Sequence, residues 1–242
     1  MSLKTKAIAA LASAGAIALS MTVSYAQTSD TSKMGPEERW ATFAGAVQRD
    51  RGDVVEKMLA EGMDPNTYVV DGDPAIVRAI RVDSKSVLKV LLDAKGINID
   101  QASDFGETAL MLAAFKGDMK LVNTLLERGA SINRVGGWTP LHYAATNGHT
   151  EIMKLFIEKG ARVNVLTASG VTPLYMAARH PSREAVMLLL KAGAFRDICN
   201  EQGNSPADAA KKAGDEKLAE YLKIDKCADP AKLALIPSAK LK

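Results

Sequence analysis

Two histidines, three threonines and a glutamate fall within the stretch GGWTPLHYAATNGHTEI, Gly136 to Ile152. Side chains of these types ligate zinc or carry acid–base and nucleophilic chemistry, so the first question is whether they form a site. His142 and His149 would lie roughly 10 Å apart along one continuous helix axis. That is too far for one ion whose bonds are near ~2.1 Å. Gly148 also breaks a helix between them. His180 is the remaining histidine, and no His/Cys/Asp cluster completes a ligand set. A Ser/His/acid site fares no better, because no nucleophile sits at a strand-to-helix elbow beside an oxyanion hole. Gly136-Gly137 lacks the Lys-Ser/Thr of a phosphate loop, and the carboxylates are scattered over expected helix faces. No catalytic residue, metal or cofactor is assigned, and the chain reads as non-enzymatic.

The same residue types make sense as positioning elements once the chain is compared with itself. Thr139-Pro140-Leu141 recurs 33 residues later as Thr172-Pro173-Leu174, and after the same step as Ser205-Pro206-Ala207. Thr108-Ala109-Leu110 is a weaker upstream copy. Leu141-His142-Tyr143-Ala144-Ala145 matches Leu110-Met111-Leu112-Ala113-Ala114 and Leu174-Tyr175-Met176-Ala177-Ala178. Each unit closes on Gly-Ala, at Gly129-Ala130, Gly160-Ala161 and Gly193-Ala194, and Asn133, Asn164 and Asp197 follow. Proline suits the first helical turn, where its missing N–H would be unpaired anyway. The Ala-Ala pair lets neighbouring helices approach closely, and Gly117 and Gly148 end the first helix of their units. Ile152, Leu155 and Phe156 give the second helix its apolar face. A single helix pair cannot bury that face, whereas a stack of pairs can.

On these residues the chain resembles the ankyrin repeat family, most closely over 104–222. The expected fold is an all-α repeat solenoid of stacked helix-turn-helix ankyrin repeats with β-hairpin fingers. About six units are expected, spanning 36–66, 67–100, 101–133, 134–164, 165–197 and 198–222, with the first and last as divergent caps. Upstream, Asp71-Gly72-Asp73-Pro74 keeps the register but lacks the threonine. The resemblance implies that Thr139 and His142 bond backbone groups and tie finger to helix, beside Pro140, Leu141, Thr172 and Pro173. His149 then takes a structural position in the turn, and Glu151 sits where the helix dipole favours an acid.

Lys4 and Lys6, the uncharged small and apolar run Ala7–Ser20, and Ser24-Tyr25-Ala26 make the three-part pattern of a secretory signal peptide over 1–26. The apolar run is short of the ~20 residues of a spanning helix. Cleavage after Ala26 and export to a bacterial periplasm are expected, with 27–35 as a flexible lead-in and 223–242 as a C-terminal tail. Removal of 1–26 reduces the formal charge of +3 to a near-balanced +1, which does not favour nucleic acid as a partner. Cys199 and Cys227 would meet an oxidising compartment. In repeat register Cys227 matches Ala161 and Ala194, one helix layer beyond the latter. Layers are about 8–10 Å apart and a disulfide needs Cα atoms within roughly 7 Å, so the bond closes only if the tail bends back.

The family resemblance implies that a partner protein binds the finger tips and the concave face of the first helices. Those positions hold Tyr68, Asp71, Arg81, Asp104, Phe105, Glu107, Phe115, Lys116, Trp138, Thr146, Asn147, Val171, Arg179 and His180. Aromatics are scarce in this chain, so Phe105, Phe115, Tyr68 and Trp138 stand out as binding anchors. The segment Asn133–Thr139 is two residues shorter than Asn164–Thr172, which should leave a notch with Trp138 at its base. The chain is expected to be a monomeric adaptor without a membrane span. Resemblance to exported bacterial proteins linked with catalase and peroxide protection implies one partner class. A protein that neutralises a toxin or hydrolase is the alternative, and an enzyme within 36–100 a third, for which no residue constellation is evident.

Overall fold

The structure, a computed structural model, describes residues 31–133 and 137–228. The expected signal segment with its expected cleavage point after Ala26, Arg134–Gly136 of the shortened finger, and 229–242 of the tail lie outside the described residues. Twelve α-helices are described, in six antiparallel pairs. The pairs are α1 and α2 (Pro36–Gln48, Gly52–Ala60), α3 and α4 (Ala75–Arg81, Lys85–Asp93), and α5 and α6 (Ala109–Lys116, Met119–Glu127). They continue as α7 and α8 (Pro140–Thr146, Thr150–Glu158), α9 and α10 (Pro173–Ala178, Arg183–Lys191), and α11 and α12 (Pro206–Lys212, Glu216–Leu222). Odd-numbered helices stack on one another in chain order, and each packs on its own even-numbered partner.

Small side chains set this stacking. Ala113, Ala114, Ala144, Ala145, Ala177 and Ala178 are all buried between first helices, where a larger residue would force the layers apart. Val122, Leu125, Ile152, Phe156, Val186 and Leu189 seal the second layer, so the apolar core runs as a continuous ribbon along the stack. The fingers are hairpins reduced to single rungs. Ser103 N–H donates to Glu107 O at 2.9 Å, Thr167 to Val171 at 3.0 Å and Asn200 to Asn204 at 3.0 Å. An isolated antiparallel bridge joins Tyr68 and Pro74. Among the described residues no finger extends into a continuous strand, because a glycine turn follows within two or three residues of each rung.

Side chains cross between units at fixed places. Asn66, Asn133 and Asn164 each donate to the closing glycine carbonyl of the next unit, Gly96, Gly160 and Gly193, at 2.9 Å. Their amide oxygens accept from Asn98, Arg162 and Phe195 N–H at 2.7, 2.9 and 2.9 Å. Helix turns interlock as well. Gly117 and Gly148 have φ of 74° and 64°, and a β-carbon there would meet the imidazoles of His149 and His180 at 2.5 Å. Glycine at those turns therefore serves both the left-handed backbone and the histidine of the following unit.

Both ends of the described chain are held to the stack. In the lead-in, Thr31–Lys33 is a 3-10 turn. Thr31 is 4% exposed, its hydroxyl donates to Glu61, and its carbonyl accepts from Arg39 at 3.0 Å. The described part of the lead-in, from Thr31, is thus tied to the first unit. At the other end the chain turns back after Leu222. Ala228 N–H reaches Asp197 O at 2.7 Å, and Cys199 and Cys227 form a disulfide with Cα atoms 5.6 Å apart.

Candidate binding surface

Thr139 and His142 form one local unit. The Thr139 N–H donates to His142 Nδ1 at 3.2 Å. Because a backbone N–H can only donate, Nδ1 must accept, and the Thr139 hydroxyl at 2.9 Å donates to the same atom. The ring proton is therefore on Nε2, which donates to Val171 O in the next finger at 3.1 Å. His142 is fully buried. That burial outweighs its backbone hydrogen bonding and lowers its pKa from 6.5 to about 4. The ring is a neutral cross-brace between the fourth and fifth units. Thr108, Thr172 and Ser205 cap the corresponding helices by accepting from Met111, Tyr175 and Asp208 N–H.

The finger glycines define a second register. Gly72, Gly106 and Gly137 all have positive φ, and the residues that follow them are Asp73, Glu107 and Trp138. One helical turn into the next helices stand Arg78, Leu112 and Tyr143, and a turn beyond Arg78 and Leu112 stand Arg81 and Phe115. Stacking brings these positions from three consecutive units into one cleft of about 550 Å3 on the concave side. It is lined by Asp71, Asp73, Arg78, Arg81, Phe105, Glu107, Trp138 and Tyr143.

An ionic chain forms the floor of the cleft. Arg81 Nε donates to Asp73 Oδ2 at 2.8 Å, and Arg81 Nη2 donates to Glu107 Oε2. The Tyr143 hydroxyl completes the chain, donating to Glu107 Oε1 at 2.8 Å. Arg78 donates to Gln48 Oε1 at 2.8 Å and to Asp71 Oδ2 at 3.2 Å. Burial opposes the charge on Arg81, but its bonds to Glu107 and Asp73 outweigh that and raise its pKa. Burial, then the Glu107 carboxylate, push the Tyr143 phenol far above its ordinary value, so it stays a proton donor. Above this floor Phe105 is 77% exposed and Trp138 39%. The Trp138 ring stands edge-on to His142 and Tyr143 at 5.4 and 5.9 Å, and Phe115 edge-on to Tyr143 at 6.1 Å.

Of the positions expected to bind, Asp71, Arg81, Phe105, Glu107 and Trp138 therefore meet in one place. Phe115 adjoins it, 41% exposed. Asp104 lies at its margin, its side chain against Gly72. Others are engaged in bonds within the stack, some between units and some within one. Tyr68 donates its hydroxyl to Ala102 O at 3.0 Å, and Lys116 bonds the carbonyl of Ile80 at the end of α3. Asn147 donates to Phe115 O at 2.8 Å, and Thr146 to His142 O at 2.8 Å. Val171 supplies the carbonyl for His142, and His180 accepts from Ser182 N–H at 3.1 Å. Arg179 is exposed, in the unit that follows the cleft. Asp73, Arg78 and Tyr143 were not singled out from sequence. Counting from the finger glycines rather than from the capping threonines would have placed Asp73 beside Glu107 and Trp138. Among the described residues no cluster of His, Cys, Asp and Glu is arranged to hold a metal ion.

The family model for ankyrin repeats in three copies matches residues 43–136, 96–167 and 134–198. The chain is 33% identical over 139 residues to the palmitoyltransferase AKR1 of Lachancea kluyveri, across 54% of this chain and 18% of that protein. It is 38% identical over 121 residues to the rat ankyrin repeat and SAM domain-containing protein 6, across 46% of this chain and 14% of that protein. The chain thus spans less than a fifth of these curated relatives. A crystal structure of an ankyrin repeat domain from Acinetobacter baumannii superposes with a TM-score of 0.61 at 24% identity, covering 74% of this chain and 95% of that one. That match bears on the fold alone.

Proposed function

The chain belongs to the ankyrin repeat family, whose repeats serve as protein–protein interaction modules, and from that premise we propose that it is an exported, non-enzymatic adaptor. It grips a partner protein with the concave cleft between its second and fourth units. The observation that carries this is the convergence of Asp71, Arg81, Phe105, Glu107 and Trp138 on one cleft with two exposed aromatic walls. Aromatic and arginine side chains concentrate binding energy because they bury large areas at small entropic cost. Elsewhere on the stack this pattern of acids and aromatics does not recur: the equivalent positions hold Val171, Met176 and Arg179 in the fifth unit and Asn204, Ala209 and Lys212 in the sixth.

Export to the periplasm is supported by the Lys4/Lys6, Ala7–Ser20 and Ser24-Tyr25-Ala26 pattern and by a disulfide, which persists in oxidising compartments. The resemblance to exported bacterial proteins linked with catalase makes a peroxide-protective enzyme the first partner to examine. A captured toxin or hydrolase would instead establish the immunity alternative. The test is affinity capture from periplasmic extract by the chain and by its Phe105→Ala/Trp138→Ala variant. Loss of the same captured protein by the double variant, with the helical circular dichroism unchanged, is the expected result. Retention of that protein at wild-type yield would refute the cleft as the binding surface.

A further inference from the structure

Resting on the cleft as the partner surface, we infer that it takes a cationic side chain, lysine or arginine, presented by an extended segment of the partner. Among the described residues that line it, three carboxylates, Asp71, Asp73 and Glu107, stand against two guanidiniums, Arg78 and Arg81, a balance of one negative charge. The guanidiniums are already spent on this network. Arg81 is bonded on two sides to Asp73 and Glu107, and Arg78 is bonded to Gln48 and Asp71. Neither is left to receive an anion without breaking an existing pair.

The acids have capacity to spare. Asp73 is 1% exposed, and its Oδ1 has no hydrogen-bond partner. A buried carboxylate oxygen without a donor is costly and leaves the negative charge of Asp73 incompletely compensated at the floor of the cleft. Asp71 leaves 70% of its side chain open to solvent, at the mouth. Phe105 and Trp138 line the same cleft as these acids, and both are exposed. A cation lying on an aromatic face beside carboxylates is stabilised by both the ring quadrupole and the acids. A lysine or arginine stem would cover the rings with its methylenes while its charged end reaches the acids. Aromatic walls without the acids would fit an apolar anchor, and arginines without the acids would fit an anion. The combination fits a cationic side chain.

The experiment titrates the 15N-labelled chain with blocked pentapeptides Gly-Gly-X-Gly-Gly, where X is Lys, Arg, norleucine or Glu. The readout is the Trp138 indole N–H resonance, identified with Trp40→Phe. The Lys and Arg peptides should shift that resonance saturably at millimolar concentrations, at least about fivefold more tightly than norleucine, as cation–aromatic attraction predicts. Added salt should weaken them. Asp71→Asn should weaken the Lys peptide about threefold with little effect on stability, because asparagine tolerates the φ of 55° found there and the ion pair it loses with Arg78 is largely exposed on the Asp71 side. Norleucine binding equal to Lys, Glu binding tightest, or no saturable shift with any peptide would each overturn the cation assignment. Butylammonium alone binding as tightly as the Lys peptide would also overturn it, by moving the site to free amines. If the peptides fail while Phe105→Ala/Trp138→Ala still abolishes partner capture, the cation assignment falls and the interaction surface stands. If capture is insensitive to that variant, the surface itself falls.

Discussion

Acidification should weaken this protein through a single buried imidazole. His142 is neutral in the fold with its pKa lowered to about 4, whereas in the unfolded chain it returns to 6.5. Between those values the unfolded state binds the proton and the folded state does not. Stability is therefore fully present above the unfolded pKa and is lost as pH falls towards the folded one. From pH 7.5 to pH 5 the loss is about 2 kcal/mol, approaching a ceiling of about 3 kcal/mol below pH 4, at 1.36 kcal/mol per pKa unit. Protonation is costly because Nδ1 already accepts from the Thr139 N–H and hydroxyl. A proton placed there would face two donors in a site without water access. The assay is urea unfolding at half-unit pH steps from 7.5 to 4.5, for wild type and His142→Gln. Glutamine keeps an acceptor within reach of the Thr139 N–H but does not titrate, so carboxylate titrations common to both chains cancel in the difference. Wild type should be the more stable at pH 7.5, and its advantage should shrink by about 2 kcal/mol by pH 5. A constant gap across that range would refute the neutral, buried assignment.

The other predictions probe the joints between units. Gly148→Ala should destabilise by more than Gly160→Ala, because both have positive φ but only the former places a methyl against His180 and Ser182. The latter should cost about 1 kcal/mol, both read by chemical denaturation. Asn164→Ala removes a donor to Gly193 O and an acceptor for Phe195 N–H, and should cost about 1–2 kcal/mol by the same measurement. Cys199→Ser, or dithiothreitol, opens a cross-link of 28 residues' separation. In the chain-entropy model this costs about 3.5 kcal/mol. The loss should appear as early hydrogen exchange in α11 and α12, while α5 to α8 keep their protection.

Repeat period, helix caps and turn glycines were legible because each expresses physics within one unit. Thr139, Pro140 and His142 mark a helix start whatever surrounds them, and the Ala-Ala pairs mark the face that must pack closely. The same local logic disposed of His142 and His149 as metal ligands. The docked lead-in was less legible, since Thr31 is held by Arg39 and Glu61 through contacts that leave no periodic trace. The disulfide depended on where the chain turns after Leu222, and helix register alone does not set that turn.

The sequence by itself determined that these helices form and that they must stack, since no single pair can bury its apolar face. Only the tertiary structure decided what the stack displays. Asp73, Arg81, Glu107 and Tyr143 are each unremarkable within their own unit and lie up to 70 positions apart in the chain. The layer-to-layer offset places them within hydrogen-bonding distance and stands Trp138 and Phe105 over them. Bonds between units depend on that offset, which is set by packing summed along the whole ribbon.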